Sequence, residues 1–260
     1  MTGAARRATM AVTTLLAICG LAGGWERAGG ITRASWGHTV HRGSVPPTAS
    51  AVGVEAPRVG ALFYSGLPAS HFCTASIVES PGRDLLITAA QCDNDGRGHD
   101  RGNIVFVPGY VNGVIPYGVW TPRRVIVDPR WAHGADPDYD VGFVVLNPRN
   151  GRNIQDVLGG YQIGFNAAYS GRVQVTGYPA AASTAVTCGN WTTKQSARQL
   201  RFACGGFPEG TSGSPWVAAG GIVGVIGGYQ KGGDTPAVSY SPYLGTAIEK
   251  LYAKAVAAGT

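Results

Sequence analysis

Late in the chain, Gly210-Thr211-Ser212-Gly213-Ser214-Pro215-Trp216 sets a serine among small residues, between two runs of β-forming side chains. Glycines on both sides of Ser212 allow a tight backbone path with the hydroxyl exposed, and leave the N–H groups of Gly210 and Ser212 to converge on one point. That pattern suits a nucleophilic hydroxyl beside an oxyanion hole. A serine hydroxyl is a weak nucleophile near neutral pH, so it needs a base, and the base needs an orienting acid. Asp140 opens the apolar run Asp140-Val141-Gly142-Phe143-Val144-Val145-Leu146 and can be that acid. The base position falls in Leu86-Ile87-Thr88-Ala89-Ala90-Gln91-Cys92, where the residue is a glutamine. A primary amide is not protonated in water, whereas an imidazole with a pKa of about 6.5 accepts and returns a proton. Gln91 can still accept a hydrogen bond from Ser212 and donate one to Asp140, which would keep the geometry while losing the chemistry.

Three motifs, in the order base, acid, nucleophile, carry a resemblance to the trypsin/chymotrypsin family of serine peptidases, particularly its small secreted bacterial members. Thr88-Ala89-Ala90-Gln91-Cys92 matches the family's Thr-Ala-Ala-His-Cys except at the histidine. Asp140 to Phe143 matches its Asp-aliphatic-small-aliphatic run, and Gly210 to Pro215 its Gly-Asp-Ser-Gly-Gly-Pro. The resemblance covers roughly residues 57 to 257. It implies an all-β protein of two six-stranded antiparallel β-barrels, about 57–150 and 151–235, closed by a C-terminal α-helix at about 243–257. It also implies that the backbone of Ile226, Gly227 and Gly228 pairs with an extended peptide and lines the specificity pocket. Gly205, Gly206 and Phe207 bring no aspartate that would select Lys or Arg there. Thr211 stands where trypsin has an aspartate that captures a new N-terminal ammonium, so activation by N-terminal insertion is not implied.

The elements that must position these residues read as short strands. Val59 to Tyr64, His71 to Val78, Asp84 to Ala90, Asn103 to Val107, Arg123 to Val127 and Asp140 to Leu146 are β-prone runs parted by Gly, Pro, Ser or Asp. Tyr161 to Phe165, Arg172 to Thr176, Ala185 to Cys188, Leu200 to Cys204, Pro215 to Ala218 and Gly221 to Ile226 form a second set. From Thr246 to Val256 the period changes: Ile248, Leu251, Tyr252 and Ala255 recur at helical spacing, with Glu249, Lys250 and Lys254 on other faces. His71, two residues before Cys73, is expected near the cleft in a supporting role.

Arg6 and Arg7 followed by apolar Ala8 to Ala22 read as a secretory signal peptide over residues 1–24, shorter than the roughly 20 apolar residues of a membrane span. Residues 25–56 are rich in small residues and proline and read as a linker or short propeptide, ahead of a peptidase-like domain at 57–260. With Cys19 lost in the leader, Cys73, Cys92, Cys188 and Cys204 remain, an even number that suits an oxidising compartment. Three pairings are formally open; the family resemblance favours Cys73 with Cys92, which leaves Cys188 with Cys204. No zinc spacing is present. Neither His38-x-x-His41 nor the acidic loop from Asp93 to Asp100 reads as a metal site, the loop lacking a terminal bidentate Glu and flanking helices. No metal or cofactor is expected.

The chain has 260 residues, 44% of them apolar, 40 glycines and only 14% charged residues, as a turn-rich β-protein would. Its net charge of +6 forms no compact basic cluster, which argues against nucleic acid as a partner. A secreted monomer without membrane contact after signal removal is expected, with a peptide or protein as its partner. Three functions fit: an inactive or severely impaired peptidase homologue that binds peptides in its cleft; an active serine endopeptidase whose base comes from His71, a substrate histidine or a water; and an exported structural or adhesive β-protein. The chemistry of Gln91 favours the first.

Overall fold

The computed structural model describes residues 46–52, 57–64, 70–219 and 221–259. The expected signal peptide, Cys19, His38, His41 and most of the expected linker lie outside the described residues. Fourteen strands follow in chain order: β1 (Ser50–Val52), β2 (Val59–Tyr64), β3 (His71–Val78), β4 (Leu85–Thr88), β5 (Ile104–Pro108), β6 (Pro122–Val127), β7 (Gly142–Leu146), β8 (Gln162–Ile163), β9 (Arg172–Gly177), β10 (Ala185–Lys194), β11 (Gln199–Ala203), β12 (Pro215–Ala218), β13 (Gly221–Val225) and β14 (Val238–Pro242). The helices are α1 (Ala90–Asp93), α2 (Pro129–Gly134), α3 (Ile154–Leu158) and α4 (Thr246–Gly259).

The first sheet has six strands in the order β5-β2-β3-β4-β7-β6. It curls until Phe106 of β5 meets Trp120, just ahead of β6, through two backbone hydrogen bonds of 2.9 Å. Apart from the edge strand β6, whose Arg123 and Arg124 are exposed, its strands are nearly continuous apolar runs because both faces are covered; Ala61, Ala75, Ile77, Leu86, Ile87, Phe143 and Val145 are all fully buried.

The second sheet departs from the expected six antiparallel strands. It has eight, ordered β14-β11-β10-β9-β12-β13-β8 with β1 paired to β10, and its β13–β8 pair is parallel. Two of these strands were not legible. β1 lies within the stretch expected to be a linker, yet Ser50 pairs with Thr187 and Val52 with Ala185. β14 runs between Pro236 and Pro242 with serines at 239 and 241, a poor apolar pattern, but Ser241 Oγ satisfies the Val225 N–H at 2.9 Å. The closing helix α4 buries Ile248, Leu251 and Ala255 against the cluster of Phe143, Val145, Ile222 and Val225, which draws on both sheets.

The two expected disulfides are present, Cys73–Cys92 in the first half and Cys188–Cys204 in the second.

Candidate active site

The β4–β7 ladder pairs Leu85 with Val145 and Thr88 with Gly142, so continuing the register two residues brings the start of α1 beside Asp140. There the Gln91 N–H donates to Asp140 Oδ1 at 2.8 Å, and Gln91 Nε2 donates to Asp140 Oδ2 at 3.1 Å. The Gly228 N–H adds a third bond to Oδ2 at 2.8 Å. Asp140 follows a single 3-10 turn at Pro137–Tyr139 and is completely buried. Burial pushes its carboxyl up to about 6, although the amides of Gly228, Gln91 and Ala90 pull it back. Arg101 Nε donates to the Gln91 carbonyl at 3.1 Å and fixes the helix from outside.

Ser212 sits half-buried on the turn that enters β12. Gly210 and Gly213 on either side have φ of +92° and +84°, a region that L side chains seldom adopt. A Cβ at Gly213 would also strike the Thr74 carbonyl and the Thr88 hydroxyl, so glycine is required twice over. The turn is pinned on both sides. Thr74 N–H donates to the Ser212 carbonyl at 2.8 Å, Gly213 N–H to the Ile226 carbonyl at 2.7 Å, and Ser214 Oγ to the Thr211 carbonyl at 2.6 Å. Thr211 turns its hydroxyl to the Pro208 carbonyl at 2.6 Å. Neither the Gly210 N–H nor the Ser212 N–H has an acceptor among the described residues, the condition an oxyanion hole needs.

Gln91 and Ser212 line one cavity of about 470 Å³, together with Glu209, Thr211, Ile226 and Lys231. Among the described residues no hydrogen bond joins Ser212 to the Gln91 amide oxygen, contrary to the sequence expectation; the second N–H of the Gln91 amide goes to the Lys231 carbonyl at 2.9 Å. Much of the backbone of Ile226, Gly227 and Gly228, expected as a peptide-pairing edge, is bonded within the protein. Ile226 exchanges bonds with Gly213 and Ser214, and Gly227 N–H donates to Tyr240. Gly228 donates to Asp140 and accepts from Lys231 N–H at 2.8 Å. Only the Gly227 carbonyl of that run has no partner among the described residues.

His71 lies elsewhere. Its ring packs edge-on against Phe63, Tyr110 and Tyr178, and its Nε2 meets the Ala182 carbonyl at 2.8 Å. Because a carbonyl only accepts, that nitrogen carries the proton, and burial holds the imidazole below its usual pKa in the neutral form. It lines a separate cavity with Tyr110 and Ala180 to Ser183, not the one that holds Ser212. The structure also shows a buried acid that the sequence reading did not single out. Asp93, two residues after Gln91, has no hydrogen-bond partner for either oxygen among the described residues, and burial holds its carboxyl well above the ordinary range.

No protein-family model matches the chain, and no curated protein matches its sequence. Solved structures do match. The protease Anisep from Arthrobacter nicotinovorans is 30% identical, with a TM-score of 0.71 over 81% of this chain and 100% of that one. The thermostable serine protease AL20 from an extremophilic microorganism is 28% identical, with a TM-score of 0.70 over 78% and 99% of the two chains. A Glu endopeptidase structure shares the fold at 17% identity and a TM-score of 0.66, over 82% of this chain and 99% of that one. Two curled β-sheets, a closing helix, and a serine, a buried aspartate and a pair of free amides at one cleft, with this likeness over the full length of Anisep, place the chain in the trypsin/chymotrypsin-like serine protease family.

Proposed function

We propose that this chain is an exported serine protease homologue whose cleft holds a peptide or protein segment beside Ser212, and in which hydrolysis is silenced at the base position. Ser212 takes the nucleophile's place, Asp140 the orienting acid's, and the N–H groups of Gly210 and Ser212 the oxyanion hole's. The observation that carries the reading is the state of Gln91: both N–H donors of its amide are engaged, to Asp140 and to Lys231, and no imidazole lines the cavity. Nothing there takes a proton from the Ser212 hydroxyl and returns it to a leaving amine. Loss of the imidazole base in a serine peptidase lowers kcat by on the order of 10⁶, while binding and the oxyanion hole survive. Two disulfides support export, and no helix among the described residues is long and apolar enough to cross a membrane. The ligand is expected to meet a monomer.

The test is hydrolysis of a fluorescently labelled, unfolded protein by the parent chain, Ser212→Ala and Gln91→His, all with both disulfides formed. The parent should show no more turnover than Ser212→Ala, and Gln91→His should exceed both by at least about 10³. Turnover by the parent that disappears in Ser212→Ala would overturn the reading and make the chain a working endopeptidase.

A further inference from the structure

Gln91 does more than fill the place of a base. We propose that it is the latch of a strap, residues 229–233, which closes the cleft and must lift before an extended peptide can pair with the Gly227 and Gly228 carbonyls; the inference rests on reading this cleft as a peptide site.

The strap begins where Gly228, at φ +77°, turns the chain out of β13. Gln230 and Lys231 follow, both left-handed with φ of 52° and 53°, and then Gly232 and Gly233 at φ +103° and +138°. Two successive non-glycine residues in that region persist only where their surroundings hold them. Most of the holds lie within the strap or at its roots. Lys231 N–H donates to the Gly228 carbonyl at 2.8 Å and Gly233 N–H to the Gln230 carbonyl at 3.0 Å. The Gln230 amide reaches Asp234, and Tyr229 N–H donates to Gln199 Oε1 at 3.2 Å. Gly232 is seated against Ile226 and Gly227, with no room for a Cβ. The bond from Gln91 Nε2 to the Lys231 carbonyl is different. It ties the exposed tip of the strap to α1, and Gln91 and Lys231 line the same cavity.

That bond depends on the residue type. A primary amide carries two N–H donors on one nitrogen, and here one serves Asp140 Oδ2 while the other serves Lys231. A neutral imidazole has a single N–H. Once it is given to the ionised Asp140, the ring's other nitrogen is an acceptor and faces a carbonyl with nothing to offer. The substitution that removes the base therefore adds the latch. With the strap down, the Gly228 carbonyl and the Tyr229 N–H are satisfied internally, and an incoming peptide must put its own carbonyl in the place of Lys231's. Gln230 and Lys231 are exposed, so the tip can lift without opening a core.

Hydrogen–deuterium exchange on the intact, disulfide-bonded chain at pH 8 tests this, comparing the parent with Gln91→His and Gln91→Leu. Histidine keeps a donor for Asp140 and loses the one for Lys231, so it isolates the latch; leucine removes both. The amides of Lys231 and Gly233 should exchange about fivefold faster or more in both variants, the factor expected for one lost hydrogen bond, while the amides of β7 keep the parent rate and report an intact fold. Unchanged exchange at Lys231 and Gly233 in a folded Gln91→His would overturn the proposal, even if that variant gains turnover and so upholds the silenced site. Faster exchange would support the latch even if the parent proved to be an active peptidase.

Discussion

The Thr74 hydroxyl donates to the Gly210 carbonyl at 3.1 Å and accepts from the Tyr178 N–H at 2.9 Å, so one side chain of β3 in the first sheet sets the backbone that precedes Ser212 in the second half. Both partners are buried. Thr74→Val has nearly the same shape but leaves a buried carbonyl and a buried N–H unpaired, each at a cost of about 1–3 kcal/mol. It should lower Tm by about 5–10 °C. In a Gln91→His background it should also lower kcat more than it raises KM, because the Gly210 N–H shares a peptide-linked turn with that carbonyl. A Tm within error of the parent would show that the two sheets do not rely on this contact.

Gly213 makes a stricter demand. Its φ of +84° and the Thr74 carbonyl and Thr88 hydroxyl beside it leave no place for a methyl group. Gly213→Ala should lose more than about 3 kcal/mol, by overpacking and backbone strain together. Gly171→Ala, on an open surface with nothing within 4 Å of the added methyl, should be close to neutral. Urea denaturation of the two variants separates the cases, and equal midpoints would contradict the crowding at Gly213.

Most strands of the first sheet were legible because they are short, nearly continuous apolar runs with turn residues at both ends; β2 was read from Val59 to Tyr64, as it is found. The disulfides were legible through the family pattern around Cys92. What was not legible depends on long-range pairing. β1 is a strand only because Ser50 to Val52 meets β10, more than a hundred residues away, and β14 is held by its backbone ladder to β11 and by the Ser241 hydroxyl on the Val225 N–H. At the site, the sequence put Gln91 beside Asp140 but gave no sign of Lys231. Tyr229 to Gly233 reads as an ordinary turn, and left-handed backbone at Gln230 and Lys231 goes against what their side chains favour. The oversight at Asp93 has a similar source: a carboxylate in a polar loop reads as solvated, and only the packing of Gly142 and α1 around it removes the water.

His71 offers a control on the base. It is nearly fully buried, on a different cavity from Ser212. His71→Leu in the Gln91→His background should leave turnover unchanged while costing about 1 kcal/mol of stability through the lost bond to the Ala182 carbonyl. A collapse of turnover without a matching loss of fold would mean that His71 reaches the reacting atoms.

The Cys73–Cys92 bridge spans 19 residues and anchors the helix that carries Gln91. By loop-closure entropy its loss costs about 3 kcal/mol. Cys73→Ala/Cys92→Ala should therefore fall by about 6–12 °C in Tm. The pair Cys188→Ala/Cys204→Ala closes a similar loop of 16 residues and should fall by a like amount. The strap-amide exchange should separate the two, quickening with loss of the first bridge and not the second, since only the first sits next to Gln91. Equal exchange in both would show that α1 keeps its place without the disulfide.

Asp140 makes stability depend on pH in a direction opposite to that of a salt-bridged acid. Its folded pKa of about 6 lies above the unfolded value, so between the two the folded chain binds more protons. Its contribution is complete below the unfolded pKa and is lost as pH rises through 6. Asp93, pushed up by burial, acts in the same direction; His71, pushed down, loses its contribution as pH falls below its unfolded value. To isolate Asp140, unfolding free energies of the parent and Asp140→Asn can be compared at pH 4.5 and pH 7.5. The parent should lose about 2 kcal/mol more than the variant over that interval, the linkage expected for a shift of this size. Parallel pH profiles would show that the amides of Gln91, Ala90 and Gly228 outweigh the burial of the carboxyl and keep Asp140 ionised through the whole range.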